Sequence, residues 1–257
     1  MSAWRLLETG ARPASWNMAC DAALLAAAGA GSRPTVRFFA WDPAAVSLGH
    51  HQPAPAAAEL SRLRSLGLDW VRRPTGGRAV FHGGRDEELT YSVVAPIGAG
   101  LGGGLADAYR RIHLAVAAGL RTLGAPVELA VRRELGASTP VRRLACFAAS
   151  VPWEITAGGK KLVGSAQRRS RRALLQHGSI PLAGDQSPLE EVWPGSLPAE
   201  RPTSLSTAVG RRVGFDEVAR ALTAAFEAGL NERLEPGVLT AEENGRIDEL
   251  LSEPALA

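Results

Sequence analysis

The segment that most restricts this fold lies between Trp153 and Pro181. Trp153 to Ala157, Lys161 to Gln167 and Leu174 to Pro181 each have strand character, and the connections between them are short enough to make them a meander of antiparallel neighbours. The first connection, Gly158-Gly159-Lys160-Lys161, holds the only two lysines of a chain whose other fixed side-chain cations are all arginine. Two readings attach to it. One is an exposed hairpin turn with two solvated charges. The other is a site that needs a compact ammonium whose pKa moves on burial, a property a guanidinium lacks.

Upstream, Trp4 to Thr9 reads as an opening strand and Ser15 as the cap of a helix carrying Asn17, Met18 and Cys20. Thr35 to Trp41 and Ala45 to Gly49 are short strands joined by Asp42-Pro43, followed by His50-His51-Gln52-Pro53. Adjacent histidines raise the question of a metal. No Cys, Asp or Glu joins them at a ligand spacing, so the reading is a loop lining a pocket or a surface. A helix is expected over Ala56 to Leu66, a strand over Glu88 to Ile97, and a glycine-rich loop from Gly98 to Gly104 that precedes no phosphate-loop lysine. Leu105 to Leu123 repeats apolar residues every third or fourth position and is the clearest helix, with His113 read as structural. A strand at Val127 to Val131 follows, and beyond Pro202 the pattern turns helical over Phe215 to Leu230 and Thr240 to Leu251. Strands and helices mixed with antiparallel meanders make an α+β fold. With 257 residues and 46 % hydrophobic content the chain buries a full core, expected as one catalytic domain over 1–230 and a short helical tail over 231–257.

Asp69 to His82 reads as a strand, a turn at Gly76-Gly77 and a second strand. Paired glycines let backbone N–H groups approach a ligand, and Arg73 and Arg78 flank them, which suits an anion; a plain hairpin is the alternative. His82 is open to a catalytic or ligand-orienting role, or to an ordinary core or surface position.

Net charge is +3, too mild for nucleic acid but suited to an acidic partner protein. The dense run Arg168-Arg169-Ser170-Arg171-Arg172 reads as a solvated turn. Two cysteines, Cys20 and Cys146, make neither a disulfide framework nor a metal site. No signal peptide and no apolar run near a membrane span is visible, so a cytoplasmic location without membrane or nucleic-acid partners is expected.

Three segments in order carry a family resemblance. They are Arg72-Arg73-Pro74-Thr75-Gly76-Gly77-Arg78-Ala79-Val80-Phe81-His82 with Glu88-Leu89-Thr90-Tyr91-Ser92, then Cys146-Phe147, then Gly159-Lys160-Lys161-Leu162-Val163-Gly164-Ser165-Ala166-Gln167-Arg168 with Leu175-Gln176-His177-Gly178-Ser179. Together they resemble the biotin/lipoate protein ligase superfamily, most closely its octanoyltransferase branch, over roughly Trp4 to Leu230. Asn17-Met18-Ala19 resembles the family's opening motif. The resemblance implies a mixed, largely antiparallel sheet with flanking helices. It also implies a cofactor-free transferase that takes an octanoyl group from acyl carrier protein to a lysine of a lipoyl-domain protein, by analogy the glycine-cleavage H protein. Cys146 matches the family's nucleophile and Lys161 the lysine beside it. The implied substrate-binding residues are Arg73, Thr75, Gly76, Gly77, Arg78, Ala79 and His82 in the first segment. In the last they are Gly164, Ser165, Ala166, Gln167 and His177.

That chemistry agrees with the residue types. A thiolate exchanges readily with a thioester, and a free thiol near pKa 8.5 needs activation. An ammonium that lowered it by about two units would supply about 3 kcal/mol. Within the superfamily the rival is an ATP- and magnesium-dependent lipoate ligase. Such an enzyme does not need Cys146, often carries a further C-terminal domain, and has a third glycine where Arg78 stands. The chain departs from the family at Trp153, where a tyrosine is expected nearby, and at Gly83-Gly84-Arg85, which lengthens a turn.

Overall fold

A computed structural model describes residues 3–130, 153–198 and 201–253. The chain opens with β1 (Trp4–Arg12), α1 (Ala14–Gly29), β2 (Thr35–Trp41), β3 (Ala45–Leu48), α2 (Ala57–Ser65), β4 (Asp69–Arg72), β5 (Val80–His82) and β6 (Glu88–Pro96). It continues through α3 (Leu105–Thr122), β7 (Val127–Ala130), β8 (Glu154–Ala157), β9 (Lys160–Lys161), β10 (Gly164–Arg169) and β11 (Ala173–Pro181). It closes with α4 (Ser187–Val192), α5 (Leu205–Val209), α6 (Phe215–Leu230), β12 (Leu234–Pro236) and α7 (Ala241–Ser252).

A six-stranded sheet in the order β10-β11-β6-β2-β1-β12 forms the middle layer, antiparallel except where β1 runs parallel to β2 and β12. This is the expected α+β architecture. β2 is buried along its whole length because helices cover both faces of the sheet. Val36, Phe38, Tyr91 and Val93 face the layer of α3 and α6, while Leu7, Val94 and Leu175 face α1. An alanine-rich helix without a polar face must be buried on both sides. α1 accordingly lies between the sheet and α7, whose Ile247 joins the same cluster. It begins at Ala14 with Pro13 before it, so Ser15 is inside the helix and caps nothing. After α6, β12 extends the sheet alongside β1, and a buried Arg5–Glu243 ion pair at 2.6 Å fastens α7 to β1. Among the described residues no helix is long and apolar enough to cross a membrane.

Tertiary pairing decides one open alternative and corrects one expectation. The strands around Gly76-Gly77 do not form a hairpin: β4 and β5 lie on opposite edges of β3, parallel and antiparallel to it. The segment from 73 to 79 is therefore a loop that passes over the end of β3. Lys161 to Gln167 is likewise not one strand. β9 belongs to a small sheet with β7 and β8, β10 belongs to the central sheet, and buried Leu162 and Val163 make the step between them.

The loop over β3 is packed backbone to backbone. His50 N–H donates to the Thr75 carbonyl at 2.8 Å, and a Cβ at Gly49 would stand 2.0 Å from the Gly77 oxygen. Gly49→Ala should cost about 2 kcal/mol or more, because neither backbone segment can yield cheaply. Its urea midpoint should fall at unchanged slope. A midpoint equal to wild type would show that the loop is not held there.

Candidate active site

A small, largely apolar pocket opens where β10 and β11 face the small sheet built on β3. It gathers Arg73, His82, Gly164, Ser165, Ala166 and His177, residues from the first and last motif segments, and adds Met18, Trp41, Ser47, Thr90 and Ser179. Thr75 stands one hydrogen bond behind His177. Ala79 is buried beside β5, Gly76 and Arg78 are half-buried, and Gly77 is exposed at φ 91°. Gln167 is half-buried on β10 opposite Gln176. His50 and His51 lie in an exposed turn, outside the pocket lining.

Three buried relays hold the polar groups in place. In the first, His177 Nδ1 lies 2.8 Å from Asp21 Oδ2 and its Nε2 lies 2.6 Å from Thr75 Oγ1. Burial pushes the His177 pKa down against the opposing pull of Asp21, so the ring is neutral at pH 7. Nδ1–H then donates to the carboxylate, and Nε2 accepts the Thr75 hydroxyl proton. Burial also works to raise the Asp21 carboxyl, but hydrogen bonding from His177 and the charge of Arg37 outweigh it and hold the pKa below the usual range. Arg37 donates to Asp21 at 2.8 Å, to Asn17 Oδ1 at 2.6 Å and to Thr9 at 2.9 Å, so its buried guanidinium is fully engaged.

In the second relay, His82 Nδ1 meets Glu88 Oε1 at 2.8 Å and its Nε2 meets Ser47 Oγ at 2.8 Å. Thr90 donates to the same Glu88 oxygen, and Trp41 stacks on the imidazole at 3.9 Å. Stacking and the two polar contacts fix the ring plane, leaving a hydroxyl–imidazole–carboxylate series along the pocket wall.

The third contains a histidine read as structural from the sequence. His113 Nδ1 lies 2.6 Å from the Trp153 carbonyl and its Nε2 2.9 Å from Ser165 Oγ. Burial drives the His113 pKa down to about 4, so the ring is neutral near pH 7. The carbonyl can only accept, so Nδ1 carries the proton and Ser165 donates to Nε2. Tyr91 O–H, its pKa pushed up to about 12 by burial, then donates to Ser165 at 2.9 Å. His113 thus orients a pocket hydroxyl. Neither His113 nor Ser47 and Asp21 carries a local signal of this role, whereas Glu88 and Tyr91 fall within a quoted motif segment.

Arg73 uses its fork inside the protein. It donates to the carbonyls of Ser47, Gly76 and Arg78 at 3.0, 2.7 and 2.7 Å, so it pins the glycine loop to the pocket rim. Ser179 Oγ is, among the described residues, the buried side-chain polar atom without a hydrogen-bond partner, and it lines the pocket. Lys161 on β9 is largely buried and ion-paired with Glu154, beside the third relay. Cys146, with Arg132, Arg133, Arg142 and Arg143, lies outside the described residues.

A mixed sheet between helix layers, with an apolar pocket ringed by oriented hydroxyls and imidazoles, has the form of an enzyme's catalytic domain. Residues 13–227 match the lipoyl protein ligase A/B catalytic domain, and the chain belongs to that family. It is 42 % identical to the octanoyltransferase LipM of Moorella thermoacetica, an alignment covering 99 % of this chain and 96 % of that protein. With the octanoyltransferase LipM of Symbiobacterium thermophilum it shares 40 % over 96 % and 94 % of the two chains. Among solved structures it resembles a lipoate-protein ligase A bound with ATP, at 27 % identity and a TM-score of 0.79 over 98 % and 95 % of the chains. It also resembles the Thermoplasma acidophilum protein Ta0514, a putative lipoate protein ligase with bound lipoic acid, at 27 % identity and a TM-score of 0.76 over 97 % and 95 %.

Proposed function

We propose that the chain is an octanoyltransferase of lipoate biosynthesis that takes octanoate from octanoyl-acyl carrier protein, holds it as a Cys146 thioester, and passes it to a lysine of a lipoyl-domain protein such as the glycine-cleavage H protein. The observation that carries this reading is the run of octanoyltransferase relatives at 34–42 % identity over 91 % or more of this chain, against 27 % for the ATP-bound ligase structure. In the first step the Cys146 thiolate attacks the carrier thioester and the carrier thiol leaves. In the second the acceptor amine attacks the enzyme thioester and the cysteine thiol is released. Lys161 stabilises the thiolate and the oxygen on which charge develops, and Glu154 orients its ammonium. The apolar pocket takes the hydrocarbon chain, with Ser165, Ser179 and the two flanking imidazoles near its polar end.

The likeness to ligase structures supports a second reading, ATP-dependent attachment of free lipoate. A single assay separates them. Incubated with octanoyl carrier protein and an acceptor lipoyl domain, the enzyme should add one octanoyl group to the acceptor without ATP. Modification that appears only with lipoate, ATP and magnesium would make the chain a ligase.

A further inference from the structure

The basic run singled out in the sequence forms the tip of the β10–β11 hairpin, closed by Ser170, whose Oγ accepts from Arg172 N–H at 3.2 Å and Ala173 N–H at 2.9 Å. That turn presents Arg171 and Arg172 outward. Both are exposed, as is Arg168, and none of the three has an ion-pair partner among the described residues. They rim a broad groove floored by half-buried Leu25 of α1 and Leu250 of α7, with Arg246 on the far side, 2.8 Å from Glu249. A solvated turn needs no apolar floor, and three unneutralised guanidiniums on one tip repel one another. A half-buried apolar floor inside an arginine rim is instead the composition of a protein interface. The sign of the rim calls for carboxylates, which guanidiniums grip in bidentate fashion.

The groove's distance from the pocket selects among acidic partners. Ala166 lines the pocket and β10 runs three residues beyond it, to Arg169, before the turn that carries Arg171 and Arg172, so those two stand roughly 10 Å or more from the lining at 3.3 Å per residue. Arg168 donates at 3.1 Å to the carbonyl of Pro74, next to Thr75. A body seated on the rim must therefore reach inward to deliver anything. A carrier protein presents its acyl thioester on a long flexible arm and can do so; an acceptor lysine extends only its own methylenes. We propose that this groove docks an acidic helix of the octanoyl carrier protein, so that its arm enters the pocket past the end of β10. The inference rests on the octanoyl-transfer reading above.

Its test varies the donor. With the charge-reversed pair Arg171→Glu/Arg172→Glu, the KM for octanoyl carrier protein should rise roughly tenfold or more at low salt, about 1.4 kcal/mol of docking energy. That rise should shrink as salt screens the rim. Turnover of octanoyl-pantetheine, the same thioester without protein or phosphate, should be unchanged, and Arg171→Lys/Arg172→Lys should keep most of the carrier affinity. An unchanged carrier KM, or a rise in the acceptor KM instead, would overturn the docking site while leaving the transferase reading intact. Failure of the wild type to use either octanoyl donor would overturn that reading, and the docking site with it.

Discussion

Cys146→Ala should abolish octanoyl transfer in a protein whose circular dichroism is that of wild type. The acyl group needs a nucleophile that exchanges with a thioester at little cost, and thiolate is the protein group that does so. The chain has two thiols, and the other cannot serve: Cys20 is buried on α1, where burial pushes its pKa up to about 11. Intact-mass measurement after mixing with octanoyl carrier protein should show one hydroxylamine-labile octanoyl adduct, mapped to Cys146 and missing from the alanine variant. Transfer by Cys146→Ala at the wild-type rate would end the covalent route. Lys161→Arg should act through the same thiol. If the ammonium lowers the thiol pKa from about 8.5 by about two units, a replacement that loses the whole effect leaves about 25-fold less thiolate at pH 7. The rate of Cys146 alkylation against pH should then shift upward in step with lost turnover. A variant that alkylates and turns over like wild type would confine Lys161 to its ion pair with Glu154.

The largest loss of stability is expected at a residue outside every motif. Asp21→Ala removes the carboxylate from a fully buried pair with Arg37 and leaves a guanidinium that is 0 % exposed without its countercharge. Removing one partner of a buried pair costs roughly 3–5 kcal/mol, which approaches the whole stability of many domains. Asn17 and Thr9 still hold Arg37 but carry no charge, and His177 loses the acceptor that fixes its tautomer. The pH dependence follows from the sign of the Asp21 shift. Its folded pKa lies below the unfolded value of about 3.9, so its contribution is complete above that value and is lost as pH falls through the folded pKa. His177, whose folded pKa is also depressed, adds a loss in the same direction that begins below about 6.5. Urea unfolding from pH 7 down toward pH 2 should show a wide gap between wild type and Asp21→Ala that narrows at the acid end. A constant gap would mean that the carboxylate's charge is not what stabilises the cluster.

Periodicity within single elements read out well: α3 and α6 carry apolar stripes at helical spacing, β6 and β11 read as strands, and their mixture made the fold class legible. Arg73, His82, Ser165 and His177, singled out in distant segments of the sequence, meet at one pocket. The places where expectation failed share one cause. Whether Asp69 to His82 is a hairpin or two strands divided by β3 depends on a third strand inserted between them. Whether Lys161 to Gln167 is one strand or two depends on which sheet each half joins, and three-residue β12 exists only because β1 offers it an edge. Hydrogen-bond partners of this kind are not encoded in local spacing. The same holds for the site: Asp21, Ser47 and His113 look ordinary where they stand in the chain. Only close packing makes them a carboxylate, a hydroxyl and an imidazole of three relays, because a polar group taken out of water must find its partner in whatever element the fold brings against it.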